Sequence, residues 1–490
     1  MIYGRRPGVG LTRFIGFRGI RVSTIFKSRF SASTYTMSKP ELTRDFPPPV
    51  NRTMKELDRE FFKRDVPLVA AWLKDPSYIT TLGKVARNDL LQLQGVSRVV
   101  KSDDDRRGVL LRHEITNPSV ALDEVSEESR QVFDKAGASF EPYTLTLTYD
   151  YWKTDEILAA ILPEELLDEV PSGFTNVGHI AHMNIREEYM PYRFLIGQVV
   201  LDKNPLVETV VNKLDTIDTV YRTFAMEVLA GKEKFDVEQS ESGCKFRFRF
   251  DRVYWNTRLH TEHGRLIKQF GKGEAVCDVF AGVGPFAVPA GRKGVVVFAN
   301  DLNPDSHESL VGNIKLNKVQ ATVFPYNEDG RAFIEQSARR ILEFQDEHDH
   351  VDLYPRRTSR SKPVLPERIE VPKRFQHYVM NLPDSALTFL DAFVGLYGDE
   401  EVRKRAQIND EKDLPMIHVH CFYKADPMEP EPPQEVVYND LLNTVNGKLG
   451  SEMTVDKLSF HKVRKVAPTK TMYCISFRLP ASAAFAAKQN

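Results

Sequence analysis

The stretch Val276-Cys-Asp278-Val-Phe-Ala-Gly282-Val-Gly284-Pro-Phe286, with Asn300-Asp301-Leu302-Asn303-Pro304 after it, constrains this chain more than any other. An apolar run, a glycine-rich turn and a helix-length segment lead to a second apolar run, Val295 to Ala299, that closes on an acidic residue. That spacing predicts a βαβ unit with a ligand crevice at the carboxyl end of a parallel sheet. Glycines let backbone amides approach a ligand closely, and a carboxylate after the second strand suits a pair of ribose hydroxyls. The sequence has no G-x-G-x-x-G here, and Asp278 sits in the turn, where its charge would repel a diphosphate. The crevice therefore suits S-adenosylmethionine (AdoMet) better than a dinucleotide.

The rhythm continues downstream. Strands are predicted at Ala275–Phe280, Val295–Asp301, Ala321–Tyr326, His377–Leu382 and Met416–Tyr423. Helices are predicted at Pro285–Arg292, Pro304–Asn317, Arg331–Glu343, Asp384–Phe393 and Val436–Gly450. Two closing strands, Lys462–Val466 and Met472–Leu479, form a hairpin. The expected fold class is α/β, of the class I AdoMet-dependent methyltransferase type: a Rossmann-like, mostly parallel sheet with a C-terminal antiparallel hairpin and one reversed edge strand. The segments Tyr354–Arg374 (basic) and Asp426–Glu435 (acidic, proline-rich) break the rhythm and read as surface loops.

At 490 residues the chain exceeds one ordinary core. The expected division is a mitochondrial-type targeting segment at 1–38, an accessory α+β module at 39–170, an α/β linker module at 171–250 and the methyltransferase domain at 251–490. Helical patterns in the accessory part fall at Met54–Arg64 and Pro163–Glu169, and a strand at Tyr143–Tyr149. Residues 1–40 contain no acid, while Arg5, Arg6, Arg13, Arg18, Arg21, Lys27 and Arg29 alternate with apolar and hydroxyl residues. With Met37 as a second start, the expected locations are mitochondrial matrix from Met1, and cytoplasm and nucleus from Met37. A net charge of −1 leaves any nucleic-acid contact to local basic patches. No apolar run reaches the length of a membrane span. Cys244, Cys277, Cys421 and Cys474 lack metal-ligand spacing and read as buried thiols of a reducing compartment.

Beyond the glycine turn, several pieces occur in a telling order: Gly178-His-Ile-Ala-His-Met-Asn-Ile-Arg186, Tyr221-Arg222, Val253-Tyr254-Trp-Asn-Thr-Arg258-Leu-His-Thr-Glu262 and Asn381-Leu382-Pro383. Together they resemble the archaeal and eukaryotic tRNA (guanine-37-N1)-methyltransferases, and the extensions resemble a fungal member. The resemblance covers most of the chain from Gly178 to Leu479 and, more weakly, the module before it. It implies methyl transfer from AdoMet to N1 of guanosine 37 in the anticodon loop of cytoplasmic and mitochondrial tRNAs, also the first step toward wybutosine-type bases. It implies tRNA as partner, read by anticodon stem-loop and overall shape. A monomer without membrane or metal is expected.

Guanine N1 must lose its proton, O6 must be offered a donor, and the base must align with the sulfonium methyl. Glu262 is the candidate base, aided if burial raises its pKa. Periodicity alone would make it an i,i+4 ion pair with Arg258. The resemblance implies Arg222 facing O6, Asn381 positioning guanine and touching the cofactor, and His263 near the methionine moiety. Asp301 would hold the ribose diol and Leu302 pack on adenine, with Asp329 and Gly330 at the adenine edge. Asp278 would order the turn or the methionine amine, beside Gly282. Tyr254 is a stacking or a core residue. Arg356, Arg357, Arg360, Lys362, Arg368, Lys373 and Arg374 are candidate phosphate contacts. Two other readings stay open: a class I methyltransferase of another RNA base, and a non-catalytic RNA-binding protein with this fold.

Overall fold

The computed structural model describes residues 45–217, 221, 224–353 and 365–487. The targeting-type segment 1–38, Arg222, Arg356, Arg357, Arg360 and Lys362 lie outside the described residues.

Strands β1 (Arg64–Leu73), β2 (Val99–Lys101), β3 (Arg107–Leu110) and β4 (Ser139–Leu147) form an antiparallel sheet in the order β2-β3-β1-β4. The two-residue period of β1 sends Val66, Leu68, Ala70 and Trp72 into one core and Val69, Ala71 and Leu73 into another. A second sheet pairs β5 (Thr175–Val177), β6 (Ile180–Met183), β7 (Thr209–Ile217) and β8 (Phe224–Gly231) in that order. Its helix Arg193–Lys203 buries Leu195, Ile196, Val199 and Val200 in the core that also holds Trp152, Ile157, Leu158 and Ile161. One apolar core thus runs across position 170.

Met54–Arg64, expected as a helix, is a series of turns instead. Asn51 Oδ1 accepts the Thr53 amide at 3.1 Å, and Asp58 Oδ1 accepts the Glu60 amide at 3.0 Å. Such local bonds give the backbone an alternative to the helical ladder. Of Pro163–Glu169 only one 3-10 turn, Glu164–Leu166, is helical.

After the hairpin of β9 (Asp236–Glu241) and β10 (Cys244–Arg249) comes the largest sheet. In chain order the remaining strands are β11 (Ala275–Asp278), β12 (Val296–Asn300), β13 (Val323–Tyr326), β14 (His350–Leu353), β15 (Glu367–Glu370), β16 (His377–Met380), β17 (Met416–Lys424), β18 (Leu458–Ala467) and β19 (Lys470–Arg478). Seven of them pair as β13-β12-β11-β16-β17-β19-β18, the first five parallel. The expected reversed strand exists but not at the edge: β19 lies between β17 and β18, antiparallel to both. Burial explains the order. β19 is buried from Thr471 to Phe477, whereas β18 carries Lys462, Arg464 and Lys465 and suits an edge.

The helix Pro304–Asn317 has the bounds expected from its signals: Asn303 Oδ1 caps the Asp305 amide at 3.0 Å, and Lys318 (φ 60°) ends it in the left-handed region. Asp384–Phe393 is a 3-10 run, Ala386–Phe393. The basic segment is not wholly a surface loop. Its β15 pairs with β14, Ile369 and Val371 are buried, and Arg374 donates to the Ala406 carbonyl and to Asp413, both at 3.0 Å. Arg374 is therefore committed to the fold rather than presented to phosphates. Among the described residues no helix is long and apolar enough to cross a membrane.

Candidate active site

The loops after β11, β12, β13 and β16 meet at one end of the sheet. Gly282 (φ 55°) and Gly284 (φ 96°) give the first loop its left-handed turns, and a Cβ on Gly284 would stand 2.8 Å from Leu310 and from Val288. Asp301 Oδ2 accepts the Gly282 amide at 2.8 Å, and Oδ1 accepts the Asn303 amide at 3.0 Å. Each oxygen keeps a lone pair for a diol. Buried Asn300 ties three loops together: its Nδ2 donates to the carbonyls of Val279 (3.2 Å) and Glu328 (3.0 Å), and its Oδ1 accepts the Glu328 amide at 2.9 Å. Asn313 fixes the glycine turn in the same way, donating to the Val283 carbonyl at 3.0 Å. Sequence reasoning assigned neither asparagine; an amide ending an apolar strand was the available signal for Asn300.

The Gly282 amide of the turn is held by Asp301 and not by Asp278. The two oxygens of Asp278 are buried and have no hydrogen-bond partner. Burial, then the charge of Asp301, push its carboxyl up to about 8, against His420 and the nearby Phe280 amide, which falls short of hydrogen-bond geometry. Asn381 Oδ1 is buried without a partner as well. Next to the turn, an added Cβ on Gly282 would meet nothing within 4 Å, and Leu302 is 46% exposed. A ligand that brings an ammonium group, N–H donors and an apolar ring fits this set. Asp329 lies three residues beyond the end of β13 and caps the helix Gly330–Glu347, accepting the Arg331 amide at 2.9 Å. Gly330 must be glycine, because a Cβ there would come 2.7 Å from the Phe280 ring.

Glu262 lies in the first turn of the helix His260–Gln269 and is buried. Its partner is not Arg258. Arg265 grips both oxygens at 2.7 Å, His420 Nε2 lies 2.8 Å from Oε1, and His461 Nε2 lies 3.5 Å from Oε2. The expected rise in its pKa is reversed: burial favours the neutral acid, but the hydrogen bonds from Arg265 and His420 outweigh it and bring the carboxyl to about 2. His420 is raised: burial acts against its charge, and the Cys474 sulfur and Glu262 overcome it. Glu262, His420 and Cys474 place possible metal donors within 4.8 Å of one another. Arg265 already supplies the positive charge that Glu262 faces, so we read an ion-pair network. His263 Nδ1 lies 2.6 Å from Glu241 Oε1, with its ring edge-on to Phe286 at 4.7 Å. Tyr254 belongs to no strand or core; it is 47% exposed.

All four cysteines are free and buried. Burial raises the Cys277 thiol well above its usual range and takes Cys421 up to about 12. Neither has the lowered pKa that a nucleophile needs.

Five parallel strands, an inserted antiparallel strand and ligand loops at the strands' carboxyl ends define a class I AdoMet-dependent methyltransferase fold. The TYW2 N-terminal domain family model matches residues 154–234, and the TRM5/TYW2 methyltransferase domain model matches residues 237–354. A tRNA (guanine(37)-N(1))-methyltransferase of Candida albicans is 46% identical over 455 residues, 90% of this chain and 98% of the relative. One from Schizosaccharomyces pombe is 48% identical, over 88% of this chain and 96% of its own. The chain belongs to the tRNA (guanine(37)-N(1))-methyltransferase family. Among solved structures, aTrm5 in complex with tRNALeu shares the fold with a TM-score of 0.54 at 18% identity, over 84% of this chain and 99% of that one. Trm5b of Pyrococcus abyssi does so with a TM-score of 0.50 at 22% identity, over the same shares.

Proposed function

We propose that this chain transfers the methyl group of AdoMet to N1 of guanosine 37 in tRNA, which is also the first step toward wybutosine-type bases. The observation that carries the reading is end-to-end similarity to relatives of that name, 46% identity across 98% of one of them. AdoMet, when bound, supplies an electrophilic methyl on a sulfonium. Asp278 would pair with its ammonium, Asp301 and the Gly282 turn would hold the ribose, and Leu302, Asp329 and Gly330 would frame the adenine. His263 would close the methionine side. Asn381 would bond both cofactor and guanine, Glu262 would take the N1 proton, and Arg222 would face O6. The buried Cys277 and Cys421 thiols, with raised pKa values, disfavour cytosine-5 chemistry through either of them.

With the purified full chain and tritiated AdoMet, unmodified tRNA transcripts bearing G37 are expected to take up label and A37 transcripts to stay at background. Equal labelling of both would refute the reading. The same proposal includes a monomeric enzyme, imported into the mitochondrial matrix when translated from Met1 and cytoplasmic or nuclear from Met37. Fractionating cells that express either product alone tests this; matrix recovery of the Met37 product would count against it.

A further inference from the structure

Glu262 poses a problem for its own role. A carboxylate held near 2 by Arg265 and His420 returns a proton readily, and the question is to what. His420 does not itself reach solvent, being fully buried. A second chain runs from Glu274, whose side chain is 36% exposed, through buried His377, His418 and Ser476 at 3.2, 3.0 and 2.7 Å. It continues to Cys474 only across a 3.9 Å contact, and it meets Glu262 only by way of Cys474 and His420, whose donor atoms cluster with Glu262 within 4.8 Å. His461 differs from all of these. It stands on the edge strand β18, its Nε2 is 3.5 Å from Glu262 Oε2, and its side chain is 44% exposed.

We infer that His461 is the proton exit of the site, the group that takes the proton from Glu262 and delivers it to water. The inference rests on the reading of Glu262 as the base. In balance, the guanine N1–H bond breaks and its proton goes to Glu262 Oε2. The N1 electron pair forms the bond to the methyl carbon, and the departing sulfur keeps the S–C pair. The Oε2 proton then moves to His461 Nε2, and the resulting imidazolium loses a proton to solvent. One proton leaves per methyl transferred. The groups facing His461 are Glu262 and Arg265 from the helix His260–Gln269, His420 from β17 and, directly across the strand pair, Cys474 on β19. Burial, first, and the Arg265 charge keep the imidazole below its ordinary pKa, with Glu262 opposing, so it is neutral and able to accept at physiological pH. His461 would act through Glu262 and is a positioning and relay group, not a catalytic residue.

Single-turnover methylation of a G37 transcript by the full chain, from about pH 4.5 to 9, tests this. His461→Ala is expected to slow transfer about tenfold or more, to abolish the acid limb of the pH profile, and to be restored by added imidazole. His461→Asn, closer in shape, should behave alike, with AdoMet and tRNA affinities unchanged. Glu262→Gln should be slow and unresponsive to imidazole. If either His461 variant keeps the parent rate and pH profile, or is slow with its acid limb intact and no response to imidazole, the relay is overturned. If Glu262→Gln keeps the parent rate, the base assignment itself has failed, which is a distinguishable result.

Discussion

Replacing Glu262 by glutamine is expected to slow methyl transfer by about 10²–10⁴-fold while leaving AdoMet binding nearly intact. The amide keeps the volume and one acceptor but cannot take the N1 proton. It also leaves Arg265 and His420 facing a neutral group, at a stability cost on the order of 3 kcal/mol, as for other broken buried pairs. Thermal unfolding of the variant must therefore accompany the kinetics. The pH dependence separates the two effects. A carboxyl lowered to about 2 contributes stability that is fully present above its unfolded pKa and is lost as pH falls through the folded value. The parent chain should lose that contribution between about pH 4 and 2, and the variant should have none to lose there. A variant that matches the parent in rate would remove Glu262 from the chemistry.

Asp278→Asn is expected to weaken AdoMet binding at least tenfold and, without ligand, to stabilise the protein. The two effects have one cause. A carboxyl with both oxygens buried and unpartnered, next to Asp301, is costly until a cation arrives. Its folded pKa is raised, so the protonated form is favoured on folding. The parent's stability contribution is whole below the unfolded value near 4 and is lost as pH rises through about 8. The gain in melting temperature of the variant should therefore be largest near pH 8 to 9 and vanish near pH 4. In calorimetry, AdoMet binding to the parent at pH 7 should release protons, seen as heats that change with buffer. An unchanged affinity in the variant would mean that Asp278 does not meet the cofactor.

The sheet was largely legible because its central strands are buried on both faces and read as apolar runs, as at Val295 to Ala299. Helix ends were legible where a cap was written in the chain, as at Asn303-Pro304. What was misread depends on local competition or on distance. Asp58 looks like an ordinary helix-surface residue until its side chain claims the Glu60 and Phe61 amides. The place of β19 between β17 and β18 follows from comparative burial, not from order along the chain. Arg374 lies in a basic run, yet its fold partners are 32 and 39 residues further on.

At the site, residue types were legible and their electrostatics were not. Burial of Glu262 alone predicts a raised pKa; the sign is set by Arg265, one turn away, and by His420, 158 residues away. Asp278 shows the converse, a turn carboxylate whose importance lies in having no partner. Asn300 escaped notice because its three bonds join loops that only the sheet brings together.

Locating the transferred methyl group separates guanosine-37 N1 chemistry from every other outcome. After the full chain has acted on an unmodified G37 transcript with AdoMet, nuclease fragments analysed by mass spectrometry against nucleoside standards report both position and atom. One methyl is expected, on N1 of the guanosine at position 37. A methyl at another position or on another atom of that base, or none despite AdoMet binding, would contradict it.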